Sequence, residues 1–275
     1  MDCDSPESRQ AAEWLRSAGH VVVFSGAGVS AESGIATFRD ADGFWQTFPP
    51  ETFATWPGLM RCAVLRPAEL ARFVLAVLEP IAKAEPNAGH RAIAEMDRHT
   101  RVTVITQNID GLHSEAGSTV VHQIHGSLFE VVTLGGRFVR LLSRGEMLRI
   151  VESLRRAAES RLSQVRLLAA IRPIFGIGLS GLHRPKVVLF GDSMAEPDWQ
   201  MANAAARQCD CLLTVGTSEE VYPAAFLPQL AAGAGAKIIR VDPAAGFCHV
   251  WLAGPSARLL PALVERAFGG RENAT

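Results

Sequence analysis

The feature that most constrains this chain is a repeated pattern. Short apolar runs of strand length alternate with helix-length stretches, and each run ends on small or polar residues. Val21–Phe24 runs into Ser25-Gly26-Ala27-Gly28-Val29-Ser30, and 102–106 runs into Gln107-Asn108-Ile109-Asp110. The runs 186–190, 211–215 and 237–241 end on Gly191, Gly216 and Asp242. Continuous apolar runs suit parallel strands covered on both faces. Helices are expected over 8–17, 67–82, 86–97, 198–208, 224–232 and 255–268. That order implies an α/β fold with a mainly parallel, Rossmann-like sheet. Ligands in such sheets bind beyond the carboxyl ends of strands, where all these motifs fall.

The stretch 137–172 breaks the pattern. Met147, Val151, Leu154, Ala158, Leu162 and Val165 recur at intervals of three and four, the signature of an amphipathic helix. The stretch holds nine arginines and three glutamates. Its plain reading is a docked helix with a solvated basic face, and a partner surface is the alternative. A smaller inserted lobe is expected around 133–180 within a domain spanning 1–265, followed by a polar tail over 266–275.

Charge and cysteines narrow the classes. A net charge of −1 gives no argument for nucleic acid. No apolar run reaches membrane-spanning length, and the polar start lacks a signal-peptide pattern, so a cytoplasmic protein is expected. The five cysteines are odd in number and scattered, which speaks against a disulfide framework.

Several motifs carry chemistry. Gly26 and Gly28 permit a tight turn and close approach to a pyrophosphate, with a helix N-terminus following. Ala31 stands where a dinucleotide fingerprint has its last glycine, so an ordinary βα turn remains an equal reading. Arg39 is suited to phosphate or ribose oxygens, and Phe38 and Trp45 to shielding a sugar or packing in the core. Gln107, Asn108 and Asp110 are suited to a carboxamide and a ribose, or to loop capping. His125 is eligible as a base for a ribose hydroxyl. Residue chemistry does not choose it over His99, His113 or His122. Thr217 and Ser218 offer hydroxyls, while Asp242 suits ribose hydroxyls or a cap before Pro243.

Together, Gly26-Ala27-Gly28-Val29-Ser30 through Phe38-Arg39, Thr106-Gln107-Asn108-Ile109-Asp110-Gly111-Leu112-His113, His125-Gly126, 184–191 and Gly216-Thr217-Ser218 resemble the sirtuin (Sir2) family. The resemblance covers about residues 10–265 and is poor over 133–180. It implies an NAD-dependent protein-lysine deacylase. Gly26, Ala27, Gly28, Ser30, Phe38, Arg39 and Trp45 would wrap NAD. Gln107, Asn108, Ile109 and Asp110 would hold its nicotinamide half. Gly216, Thr217, Ser218, Asp242 and Ser256 would meet its adenosine half. Asn108 and His125 would be catalytic, with His125 activating a ribose hydroxyl. Val188, Phe190 and Gly191 would pair with an acyl-lysine peptide. Products would be nicotinamide, free lysine and O-acyl-ADP-ribose.

The departures are informative. Where sirtuins carry zinc-binding cysteines, this chain has Thr133, Gly136, Ile174 and Leu179, so no zinc is expected and a helical lobe replaces the zinc module. The glutamate usual after Phe-Gly is Asp192. The desuccinylase branch has tyrosine and arginine where Val74 and Val77 stand, which favours acetyl or longer apolar acyl groups. The altered lobe leaves two other functions open: an NAD glycohydrolase or ADP-ribosyltransferase, and a non-catalytic NAD- or ADP-ribose-binding module.

Overall fold

The computed structural model describes residues 5–37, 44–158, 163–178 and 181–269. Phe38, Arg39, Leu162 and Leu179, all named above, lie outside the described residues. Ten strands occur among the described residues: β1 His20–Ser25, β2 Arg101–Thr106, β3 Val121–Gln123, β4 Gly126–Thr133, β5 Phe138–Leu141, β6 Gly176–Gly178, β7 Gly181–Val187, β8 Cys211–Val215, β9 Lys237–Val241 and β10 Val250–Leu252. The chain divides into two units, one of residues 1–33, 85–124 and 196–275, the other of 34–84 and 125–195.

The first unit is built on a six-stranded sheet in the order β10-β9-β8-β1-β2-β3, parallel throughout. Counted along this unit alone, that is the doubly wound order in which strand sequence reverses beside β1. Every residue of β1 and β8 is buried, as continuous apolar runs require when helices cover both faces. The helix Pro6–Ser17 starts at Ser5, whose hydroxyl accepts from the Ser8 N–H at 3.1 Å, and buries Ala11, Ala12 and Leu15. The helix Ala88–Met96 starts with a capping box in which Asn87 and His90 satisfy each other's backbone N–H. The closing helix Ser256–Phe268 continues past the expected tail boundary at 266 and buries Leu260, Leu263 and Phe268.

The second unit holds a four-stranded sheet in the order β5-β4-β7-β6, antiparallel at each pairing. This corrects the expected third parallel strand over 186–190. The strand is Gly181–Val187 and it pairs with β4 instead. Beyond it, Val188 N–H donates to the His125 carbonyl at 3.0 Å and Phe190 N–H to the Ala54 carbonyl at 2.8 Å. The apolar run Val187–Phe190 therefore leaves the ladder halfway. The stretch 137–172 likewise resolves into β5 and the helices Arg144–Ala158 and Ser163–Ile171. The apolar stripe is real: Met147, Val151 and Leu154 are buried. Most of its described arginines are exposed, in keeping with a solvated basic face, and some are tethered to the unit. Arg144 donates to the Ile81 carbonyl and lies 5.1 Å from the Phe129 ring, Arg155 pairs with Glu79, and Arg140 with Glu146.

Three helices of the second unit and the turn between two of them carry an aromatic cluster. The helices Phe44–Thr47, Pro50–Phe53 and Pro67–Lys83 bring Phe44, Phe48, Phe53 and Phe73 together, with the Phe53 and Phe73 rings stacked at 4.7 Å. Thr55 caps a further helix, Trp56–Leu65. No described helix is long and apolar enough to cross a membrane.

Candidate active site

The carboxyl ends of β1, β8 and β9 meet where the strand order reverses. Gly26 N–H donates to the Val215 carbonyl at 3.1 Å, Gly28 N–H to the Gly216 carbonyl at 2.9 Å, and Gly216 N–H to the Val241 carbonyl at 3.2 Å. The turns after β1 and β8 are in direct backbone contact. A Cβ on Gly26 would stand 2.8 Å from the Gly216 oxygen, and one on Gly28 2.7 Å from the Gly216 Cα. Gly216 itself has φ +56° and would place a Cβ 2.3 Å from the Val29 nitrogen. The glycines are thus required by each other first. The helix that follows, Gly28–Ala31, is a single turn, and its Val29 and Ser30 N–H groups bond to the Gly26 and Ala27 carbonyls. This narrows the expectation of several open N–H groups for a phosphate: four donors of the segment are already used within the protein.

Beneath that turn lies a buried polar cluster. Ser30 is fully buried and donates to Asp110 Oδ2 at 2.7 Å. Asn108 Nδ2 donates to Ser30 Oγ at 3.0 Å and to the Gly26 carbonyl at 3.1 Å. Asp110 Oδ1 accepts from the Leu112 N–H at 3.0 Å. The motif after β2 is therefore stitched to the motif after β1. Gln107 reaches the other way, its amide nitrogen donating to Thr217 Oγ1 at 2.9 Å. Ile109, between them, is partly exposed.

Two histidines support the cluster. His90 Nδ1 accepts from the Asn87 N–H at 3.4 Å, which leaves its proton on Nε2, 3.5 Å from Ser30 Oγ. His113 Nε2 lies 2.8 Å from Ser25 Oγ, and its Nδ1 is buried with no hydrogen-bond partner. The rings meet edge to face at 4.9 Å. Burial lowers His90 to about 4, helped by Arg91, and lowers His113 to about 3, helped by His90. Both are neutral near pH 7. Neither histidine was distinguished from its neighbours by spacing. The one legible signal was the Asn87-to-His90 capping pattern.

The adenosine-side candidates separate. Thr217 is buried, whereas Ser218 is exposed. Asp242 Oδ1 accepts from the Ala244 N–H at 2.8 Å, so the plain turn-capping role is present. Ser256 opens the last helix and donates to Glu32 at 3.4 Å, and the Ala257 N–H donates to the same carboxylate oxygen at 2.8 Å. These groups, with the glycine turn and the amide cluster, form a cradle of small and polar residues at adjacent strand ends. That donor set fits a dinucleotide.

In the second unit, His125 is half-buried and its backbone is fixed on both sides. Its carbonyl accepts from Val188, and Gly126, at φ +78°, sits where a Cβ would lie 1.9 Å from the Lys186 oxygen. Only glycine fits there, so the ring's backbone anchor follows from β7. Val188 is partly exposed, while Phe190 and Gly191 are exposed, Gly191 with φ +92°. Phe190 lies 6.3 Å from Trp45. Asp192 Oδ2 accepts from the Leu189 N–H at 3.1 Å and from Trp56 Nε1 at 2.9 Å. Trp56 in turn has the Arg184 guanidinium over its ring at 4.6 Å and the Phe175 ring stacked at 6.5 Å. Sequence reading had named neither Trp56 nor Phe175.

At the positions where sirtuins carry zinc ligands, Thr133 and Gly136 stand in the β4–β5 hairpin and Ile174 is buried. Among the described residues no group of three or more His, Cys, Asp or Glu side chains is gathered as a metal would require.

Comparison with known proteins agrees with this geometry. A model of the Sir2 family matches residues 26–223. An NAD-dependent protein deacylase of Desulfosudis oleivorans is 39% identical over 263 residues, spanning 94% of this chain and 94% of that protein. An NAD-dependent protein deacylase of Pyrobaculum aerophilum is 38% identical over 259 residues, spanning 92% and 93%. Among solved structures, a Sir2 enzyme that is 36% identical superimposes with a TM-score of 0.76 over 96% of this chain and 99% of that one. A Sir2 homologue in complex with NAD is 28% identical, with a TM-score of 0.75 over 95% of this chain and 94% of that one. Sir2Af2 bound to a myristoylated histone peptide is 32% identical, with a TM-score of 0.69 over 97% and 98%. The chain belongs to the Sir2 family of NAD-dependent protein deacylases.

Proposed function

We propose that this protein removes acetyl or longer apolar acyl groups, and not succinyl groups, from lysines of a protein or peptide, at the expense of NAD. The observation that carries the acyl preference is the helix Pro67–Lys83. Val74 and Val77 are partly buried on it, and its Phe73 joins the cluster of Phe44, Phe48 and Phe53. An apolar surface of this kind has no fork of donors with which to hold an acidic acyl tail. The relative bound to a myristoylated peptide supports the same preference.

NAD supplies the ribosyl group that takes up the acyl group as nicotinamide leaves. The residues of this chain do the rest. Asn108 and Asp110, locked to Ser30, would orient the nicotinamide half, with Gln107 and Thr217 alongside. Thr217 and the turn at Asp242 would take the adenosine half. His125 would accept a proton from a ribose hydroxyl, on a backbone held by Val188 and Gly126. The exposed segment Val188–Gly191 would offer its backbone to the substrate peptide as an added strand.

The test is to incubate the protein with NAD and a panel of acetyl-, myristoyl- and succinyl-lysine peptides, and to identify products by mass. O-acyl-ADP-ribose formed only with peptide, and fastest with apolar acyl groups, is expected. Fastest turnover on succinyl-lysine would sink the selectivity. Free ADP-ribose formed equally without peptide would make the protein an NAD glycohydrolase instead.

A further inference from the structure

An arginine in a buried strand of the first unit has no part in the scheme above. Arg240 lies in β9, between Ile239 and Val241, and is 2% exposed. Its guanidinium reaches out of the sheet end and makes four contacts. Nε donates to the Ala244 carbonyl at 2.9 Å, Nη1 to Glu219 Oε1 at 2.6 Å and Nη2 to the Thr217 carbonyl at 2.9 Å, while Asp242 Oδ1 is 3.6 Å away. Two of these partners lie on the turn after β8 and two on the turn after β9.

Two further details show that this contact is built. Glu219 has φ +55°, a left-handed conformation in a residue other than glycine, and it is held there by Arg240 and by its N–H bond to Thr217 Oγ1 at 3.3 Å. Gly246 leaves the room the guanidinium needs, since a Cβ there would stand 2.6 Å from its carbon. A buried ion pair is seldom the strongest way to fill such a space, because apolar side chains of the same volume commonly do as well or better. What a planar fork of donors adds is fixed direction. Thr217 Oγ1 also accepts from Gln107, so the chain of bonds runs from the motif after β2, through Thr217 and Glu219, to Arg240 and the turn after β9.

We propose that Arg240, with Glu219 as its counter-charge, is a positioning residue for the nucleotide: it locks the turns after β8 and β9 into one surface for the adenosine half of NAD. This rests on the deacylase reading of the site. Arg240 is assigned a positioning role rather than a contact with substrate, since it is 2% exposed and three of its N–H donors bond to the two turns. Burial pushes the Glu219 carboxyl up, while Arg240 opposes that shift.

The experiment compares wild type, Arg240→Lys and the double variant Arg240→Met with Glu219→Gln, which removes both charges of the Arg240–Glu219 pair. The readouts are KM for NAD, kcat at saturating NAD, KM for an acetyl-lysine peptide, and ADP-ribose affinity by calorimetry. In the double variant, KM for NAD and the ADP-ribose dissociation constant should rise together by tenfold or more. The value of kcat and the peptide KM should stay within about twofold. Arg240→Lys keeps the charge but not the fork, and should fall between the two. Unchanged NAD KM in folded variants, whatever their melting temperature, would overturn the proposal while leaving the deacylase reading intact. If the double variant does not fold, wild-type ADP-ribose affinity in Arg240→Lys would overturn it equally. Wild-type protein that neither binds ADP-ribose nor consumes NAD would instead defeat the deacylase reading, and this proposal with it.

Discussion

In the larger unit, Ser30, His90, Asn108, Asp110 and His113 are each no more than 8% exposed; the first four are joined through Ser30, and His113 bonds to Ser25 and packs against the His90 ring. In the smaller unit, Arg140, Arg155 and Arg156 meet glutamates with 42%, 49% and 71% of the arginine side chain exposed. The two units hold comparable polar chemistry under opposite solvent conditions. Inside, an unmade hydrogen bond costs the full desolvation of the group, so each member of the cluster constrains the others. At the surface, water replaces a lost partner and an ion pair contributes little. The consequence is that exact geometry is concentrated in one unit, while the other takes its stability from an apolar stripe and an aromatic cluster.

That contrast is open to direct attack. The largest effect should come from His125→Ala, which removes the proposed base. Deacylation should fall by roughly two to four orders of magnitude, with ADP-ribose binding by calorimetry preserved. Undiminished turnover would remove His125 from the mechanism. Next, Gly216→Ala forces a Cβ to 2.3 Å from Val29 N at a left-handed φ. It should cost about 3 kcal/mol or more, or abolish folding, as read from denaturant unfolding. A loss under about 1 kcal/mol would mean the interlocked turns yield easily.

Leu154→Ala in the smaller unit empties a fully buried site. It should cost about 2–5 kcal/mol, whereas Arg156→Ala, on an exposed i,i+4 pair, should cost about 0.5 kcal/mol or less. Equal losses would erase the distinction between stripe and surface.

The pH dependence gives a subtler separation. His90 and His113 have folded values of about 4 and about 3, below their ordinary 6.5. Below pH 6.5 the unfolded chain takes up protons that the folded chain refuses. Their contribution is therefore fully present above pH 6.5 and is lost as pH falls toward 4 and 3. The denaturation midpoint should drop between pH 6.5 and 4, and an asparagine at His113 should flatten that slope. An unchanged slope would show that the buried rings are not what acid attacks. The smallest expected effect is that of a chelator, which should alter neither melting temperature nor turnover. A fall in either would place a metal on this chain.

The larger unit was far more legible in the sequence than the smaller one, for physical reasons. Strands buried on both faces are mostly apolar, and Cys211–Val215 and Lys237–Val241 could be read to the residue. The glycine and amide motifs could be read because few residue types tolerate those backbone positions. Three-residue β10 is too short to show a period. The antiparallel sheet was hidden because β7 opens on Gly181 and ends inside the run Val187–Phe190, so its apolar part and its paired part do not coincide. Arg240 is not singled out by the sequence of its strand, which also opens on Lys237, since nothing local tells a tethered arginine from a solvated one. The contacts of Trp56 with Arg184 and Phe175 join residues far apart in the chain, and no window of sequence contains them.

The mutual dependence of Gly26, Gly28 and Gly216 has a consequence for how this protein can change over generations. Each is barred from gaining a side chain by the backbone of another, so no single replacement is relieved by shrinking a neighbour that is already the smallest residue. A route to a different turn would have to move two segments, some 190 positions apart in the chain, in a single step. Variation should therefore gather in the smaller unit, where surface arginines and an aliphatic stripe accept piecemeal exchange, while the three glycines stay as they are.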